Sequence, residues 1–196
     1  PVHWPEISMA QWLRSQLPNG GRIGFDPWLH TADQITQTES ALAGSGITLV
    51  QSDNLVDAIW DDQPAPPMEP AKVHPLEFAG ESHDAKRTRL AKTLSDAQQR
   101  AAVITLPDSI CWLLNIRGAD IERNPVVHAF AILHADSTVD LYSEPSKYTG
   151  LMDHLGENVR LQSPDRFLPA LEALGGPVRI DTSTVPQIVA DTLGEA

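Results

Sequence analysis

Seven histidines, one cysteine and a run of charged residues after an apolar segment are the groups with which this sequence could do chemistry. The histidines are His3, His30, His74, His83, His128, His134 and His154. None forms an HExxH pair, and no His, Asp or Glu cluster has metal-ligand spacing. His128 and His134 share strand parity with Phe130 and Ile132, which would bring both to one face. A two-histidine metal site would use that parity; a hydrogen-bonded pair at the ends of an inward face is the commoner outcome for isolated histidines. Cys111, between Ile110 and Trp112, would need an electropositive and partly exposed setting to serve as a nucleophile. In an apolar helix it reads as a small hydrophobe. Asp136 and Asp140 flank a turn, where aspartate serves the backbone. There is no GxSxG elbow, P-loop or GxGxxG, so serine hydrolase, nucleotide hydrolase and dinucleotide readings lack support.

The charged run lies in DSICWLLNIRGADIERNPV, residues 108–126. Ile110, Trp112, Leu113 and Leu114 make an apolar helical run that stops at Asn115. The loop that follows carries Arg117, Gly118, Asp120, Glu122 and Arg123 and closes on Asn124 and Pro125. It is either a solvated connection or a surface that faces something.

The elements that would position this loop follow an α/β rhythm. Trp12, Leu13 and Leu17 fall near helical spacing over Ala10 to Leu17, and Pro18-Asn19-Gly20-Gly21 ends that helix. Arg22 to Phe25 is a strand candidate. Thr31 and Gln34 have capping-box spacing and open a helix to about Ala43, before a second strand over Ile47 to Val50. Two strands flanking a helix predict a parallel pair. Two helices and two strands leave sheet faces without partners, so residues 1–60 read as the latter half of a domain. Residues 61–75, DDQPAPPMEPAKVHP, hold five prolines and predict an extended interdomain linker.

A second α/β unit follows. Ser82 is a candidate N-cap, with Asp84 at the positive end of the helix dipole. Leu90, Leu94, Ala97 and Ala101 form an apolar stripe, while Lys86, Arg87, Arg89, Lys92 and Arg100 predict a solvated basic face. Val103-Ile104 reads as a strand, and Pro107 opens the next helix. Val126 to Leu133 and Thr138 to Tyr142 predict a hairpin. Arg160-Leu161, a helix from Ser163-Pro164 through Leu174, Val178 to Ile180 and a last helix opened near Thr184 complete the reading.

Composition narrows the partners. With 26 acidic against 14 basic residues the net charge is −12, which disfavours nucleic acid. One cysteine permits no disulfide within the chain. No stretch reaches the roughly 18 apolar residues of a membrane-spanning helix, and no membrane partner is expected. No signal-peptide pattern opens the chain. The chain begins at Pro1 without a methionine and reads as a piece of a longer protein.

WLLNIRG followed by an acidic residue and NPV, with the AFAILHAD strand and turn, resembles bacterial and eukaryotic Xaa-Pro aminopeptidases of the longer, three-domain type. RIGFDPWLHT (22–31), NLVDAIWDDQPAPP (54–67) and EFAGESHDAKRTRLAKTL (77–94) resemble the same family in the same order. The likeness covers nearly the whole chain. It implies two N-terminal creatinase/prolidase-type α/β domains with mixed sheets flanked by helices, ahead of a pita-bread catalytic domain. Residues 1–60 would be the C-terminal half of the first, 61–75 the linker, and 76–196 the second.

In that family two aspartates, a histidine and two glutamates hold two divalent ions, manganese or zinc, and the metals activate a water that attacks the amide before a penultimate proline. No position here matches those motifs, so the resemblance implies no catalytic residue, metal ligand or cofactor within this chain. It implies a non-catalytic region that is inactive alone, shapes access to the active-site cleft and makes domain or subunit contacts. Its partners would be the catalytic domain of the same protein, peptides with a penultimate proline, and a second copy in a homodimer, in the cytoplasm. Asn115, Arg117, Gly118 and Asp120 are the loop candidates for the cleft or the domain interface. Arg117 would hold a substrate carboxylate or a catalytic-domain acid, and Asp120 the free amine of a substrate. A salt-bridged loop fixing the domain interface fits equally. The family leads one to expect a small residue at Cys111 and serine at Ala119, and Arg123 and His128 are also unusual for it. The alternative from another class is a stand-alone α/β binding module without peptidase activity. A downstream region with spaced Asp, Asp, His, Glu and Glu would discriminate the two.

Overall fold

The described residues divide into two compact units, one of residues 7–64 with 182–188 and one of residues 65–181 with 189–194. The computed structural model describes residues 7–194. His3 lies outside the described residues.

In the first unit, Ser8 caps α1 (Met9–Gln16). Its hydroxyl accepts the Gln11 N–H at 3.2 Å while the Gln11 side chain accepts the Ser8 N–H at 3.0 Å. After β1 (Gly21–Phe25), the expected Thr31–Gln34 box forms with the same reciprocity and starts α2 (Ala32–Leu42). β2 (Ile47–Gln51) then pairs with β1 in parallel, from Gly21 opposite Ile47 to Phe25 opposite Gln51. Leu13, Leu42 and Ile47 are buried at the centre, with Leu17, Ile23 and Leu49 packed against them. Residues 182–188 return to this unit, where Ala32 donates to the Val185 carbonyl at 3.1 Å and Gln187 to that of His30 at 2.8 Å.

The second unit opens with β3 (Lys72–Val73) and α3 (Leu76–Ala79), followed by α4 (His83–Asp96), β4 (Ala101–Ile104), α5 (Pro107–Leu114) and β5 (Ile116–Arg117). Next come β6 (Phe130–His134), β7 (Val139–Tyr142), a 3-10 turn at Pro145–Tyr148, α6 (Met152–Leu155) and β8 (Val159–Gln162). A second 3-10 turn at Pro164–Arg166, α7 (Phe167–Glu172) and β9 (Val178–Arg179) follow, and α8 (Gln187–Leu193), whose first two residues count with the first unit, ends the described elements. The main sheet has the order β8-β7-β6-β4-β9. β6 is antiparallel to β4 and β7, whereas β4 with β9 and β7 with β8 are parallel pairs. The fold is therefore mixed α/β. Its core includes Leu94, Ile110, Leu113, Leu114, Ile116, Val127, Leu133, Leu141 and Leu155.

Three features depart from the sequence reading. The stripe on α4 ends early, because the helix stops at Asp96 and Gln98 takes the left-handed conformation (φ 55°). Ala97 is exposed and Ala101 belongs to β4. Lys86 and Arg87, assigned to a solvated face, are each only 2% exposed. The proline-rich stretch is partly structured: the Ala71 N–H donates to the Lys147 carbonyl at 2.8 Å, and Lys72–Val73 pair antiparallel with Ile116–Arg117. Ala71 to His74 lies between Pro70 and Pro75 and keeps every backbone N–H, which a ladder requires.

Candidate functional site

α5 buries Ile110, Cys111, Leu113 and Leu114 and starts with Pro107 at its first position, where a missing N–H is harmless. It ends because Asn115 adopts the left-handed conformation, φ 51° and ψ 50°. Asparagine tolerates this region better than most residues, since its short side chain bonds locally. Here the side chain is buried and fully engaged. Its Nδ2 donates to the Glu81 carbonyl at 2.9 Å, and its Oδ1 accepts from Lys86 Nζ at 2.7 Å. The same ammonium donates to the Trp112 carbonyl at 2.9 Å and lies 4.4 Å from the centre of the Trp112 ring. His154 Nε2 bonds the Leu114 carbonyl at 2.9 Å. Lysine and histidine thus add donors to carbonyls of the last turn, where among the described residues the Trp112 oxygen otherwise accepts only the long 3.4 Å bond from the Asn115 N–H and where positive charge is favoured by the helix dipole. Burial holds the Lys86 ammonium below its ordinary pKa, opposed by the Glu81 carboxylate.

Beyond Asn115 the backbone is held on both sides. The His74 N–H donates to the Asn115 carbonyl at 2.7 Å, continuing the β3–β5 ladder. Arg117 Nη1 donates to the Ile116 carbonyl at 3.0 Å, and among the described residues no carboxylate forms an ion pair with it. Gly118 packs so tightly that a Cβ would lie 2.5 Å from Val127 Cγ2 and 2.7 Å from the Val126 carbonyl oxygen. The Asp120 side chain is fully buried; its Oδ2 ion-pairs with Lys147 Nζ and accepts the His128 N–H at 2.6 Å. Oδ2 of that carboxylate is thereby committed to an internal cation and a backbone N–H, while Oδ1 is buried without a hydrogen-bond partner among the described residues. Glu122 and Arg123 pair at 3.4 Å at the exposed tip.

The structure brings Asn115, Arg117, Gly118 and Asp120 into one short, pinned loop and leaves the other sequence candidates apart. His134 bonds Asp140 at 2.7 Å rather than His128, and Asp140 also accepts from Arg160 at 2.6 and 2.9 Å. Asp136 accepts the Thr138 N–H at 2.9 Å, as a turn requires. Cys111 is buried, accepts the Val127 N–H at 3.4 Å, and burial pushes its thiol pKa up. Among the described residues no group of three or more His, Cys, Asp or Glu side chains is arranged to hold a metal ion. Sequence reasoning missed Lys86, Lys147 and His154 as the supports of the loop. Lys86 lies in a segment with a family likeness, but its partners are 26 and 29 residues away.

Comparison with known proteins places this geometry in a family. Residues 62–196 match the creatinase/prolidase N-terminal domain, and the chain belongs to that family. The relatives it resembles are peptidases by name. A probable Xaa-Pro aminopeptidase P of Coccidioides posadasii (strain C735) is 40% identical over 84% of this chain and 26% of its own length. Aminopeptidase P2 of Arabidopsis thaliana is 33% identical over 95% of this chain and 27% of its own length. The crystal structure of X-prolyl aminopeptidase from Caenorhabditis elegans, described as a cytosolic enzyme with a di-nuclear active site, superposes with a TM-score of 0.78 at 29% identity. That match covers 99% of this chain and 33% of the nematode protein. The chain spans about a quarter of the length of the curated relatives it matches.

Proposed function

We propose that this chain is the non-catalytic N-terminal region of a metal-dependent Xaa-Pro aminopeptidase. The observation that carries this reading is the family match over residues 62–196, shared with relatives named for that activity. In this reading two divalent ions, manganese or zinc, belong to a catalytic domain in another part of the protein. They supply the activated water for cleavage before a penultimate proline. The residues described here shape access to that cleft and contact the catalytic domain. A homodimeric assembly and a cytoplasmic location are part of the same proposal.

The Asn115 to Asp120 loop is the contribution we assign to this chain. Asn115 and Asp120 anchor it, through Lys86 and Lys147, and Gly118 lets it lie against Val126 and Val127. Arg117 is the charge it presents, to an acidic group of the catalytic domain or the carboxylate of a peptide. A guanidinium held on a rigid backbone suits bidentate capture of a carboxylate.

Two assays test this. The 196-residue chain, supplied with manganese and an X-Pro peptide, is expected to show no turnover; reproducible metal-dependent hydrolysis by a clean preparation would overturn the reading. In the whole protein, Arg117→Ala is expected to raise KM about tenfold with a smaller effect on kcat. Unchanged kinetics together with unchanged stability would remove the loop from the proposal.

A further inference from the structure

The second unit has a cavity of about 600 Å³ that the loop does not use. Its position follows from the direction of the strands. β4, β7, β8 and β9 run the same way and β6 opposes them. Thr105 directly follows β4, Ser143 directly follows β7, and Pro164 lies just past β8; all three line the cavity. It is therefore the crevice beyond the carboxyl ends of the co-directional strands, where open α/β sheets bind ligands. Its size falls within the roughly 300–1,000 Å³ of small-molecule sites.

The lining has an apolar aromatic wall and a polar side, and the exposed Glu144 carboxylate lies on that polar side with Lys147 and Ser143. Phe130 and Tyr142 form an aromatic wall, backed by Phe167, whose ring stacks on Phe130 at 4.5 Å and meets Tyr142 at 5.3 Å. Met68 adds an adaptable apolar surface. Lys147 and Ser143 also line the crevice, with the Lys147 side chain only 3% exposed. A lysine ammonium has three N–H donors, and Asp120 is its one hydrogen-bonded side-chain acceptor among the described residues. Ser143 Oγ donates to the His128 carbonyl at 2.8 Å, so its own lone pairs accept. A buried cation with donor capacity to spare, next to a flat apolar wall, suits an oxygen acceptor attached to a ring.

We propose that this crevice binds a small molecule whose apolar ring lies against Phe130 and Tyr142 and whose carbonyl or carboxylate oxygen bonds Lys147. The site does not depend on the peptidase reading, since no metal, catalytic domain or X-Pro peptide enters it. Because Lys147 also holds Asp120, an occupant would touch the same lysine that anchors the Asn115 to Asp120 loop.

The test is an NMR titration of the chain with benzoate, benzamide and benzylamine, which share a ring and differ in the head group. Saturable shifts are expected at the amides of Phe130, Tyr142 and Ser143 and at the Met68 methyl for benzoate, benzamide or both. The tighter of the two identifies the head as charged or neutral. Benzylamine, whose cation would meet Lys147, is expected to bind at least about tenfold more weakly, roughly 1.4 kcal/mol. Lys147→Met should abolish that discrimination; if it fails to fold, the comparison of heads on the unaltered chain still decides. No saturable shift with benzoate or benzamide, equal affinity for all three, or shifts that map away from the crevice would each overturn the proposal.

Discussion

Lys86 Nζ and Asn115 Oδ1 lie 2.7 Å apart, joining α4 to the end of α5 across 29 residues of sequence. The contact satisfies a left-handed cap and a buried ammonium at once. It defines where the apolar helix stops and the charged loop begins.

Replacing Lys86 with methionine keeps most of the buried stem but leaves Asn115 Oδ1 without its donor and the Trp112 carbonyl with only the Asn115 N–H at 3.4 Å. The expected cost is about 2–3 kcal/mol, the range for losing a charged partner of buried acceptors. Urea unfolding of the chain should show a lower midpoint with an unchanged m-value.

Asp120 and Lys147 form a buried pair, so removing either partner strands a charge. Asp120→Ala and Lys147→Met are each expected to destabilise the chain by about 3–5 kcal/mol. The double variant should be clearly less destabilised than the sum of the two. A double-mutant cycle by chemical denaturation measures the difference.

Gly118→Ala places a methyl against Val127 and the Val126 backbone, and one of them must move. A loss of about 1–3 kcal/mol is expected, as for other overpacked sites. Gly175→Ala is the control, because its Cβ would meet nothing nearer than Arg100 Nη1 at 3.8 Å. That variant should stay within about 0.5 kcal/mol of the parent.

His83 stacks obliquely on His154, ring centres 4.7 Å apart, and burial holds its pKa below 6.5, helped by His154 and Arg87 and opposed by Asp84. As pH falls below 6.5 the unfolded chain takes up this proton before the folded chain does. Stability therefore declines from that pH down to the lowered folded value, and the contribution is complete above it. Urea midpoints from pH 7.5 to 5 should show this decline, and His83→Gln should flatten it.

Local chemistry made much of the fold legible. The Thr31–Gln34 box, the parallel β1–β2 pair and the β6–β7 hairpin are written in short-range patterns of caps, periodicity and turns. The break after Leu114 was visible too, since an apolar run meets asparagine and then charge. Lys86 and Lys147 were not, because the same residue type on a helix face usually points to water. Only partners far away in sequence make their burial tolerable. The overrun of α4 has a similar origin: Ala97 and Ala101 continue a helical spacing, and nothing in that spacing announces the left-handed Gln98. Asp120 was legible as a loop acid, but its commitment to Lys147 depends on a 3-10 turn some 27 residues later.

The return of residues 182–188 to the first unit bears on the order of assembly. The entrance to α2 at His30, Ala32 and Asp33 is bonded to Gln187, Val185 and Thr182. A ribosome releases the amino-terminal partners of these bonds about 150 residues before the carboxyl-terminal ones, at a rate of about 5–20 residues per second. Those bonds must wait about 8 to 30 seconds during synthesis, while the β6–β7 hairpin has both its strands close at hand. The unit that begins first is, at this corner, the one that closes last.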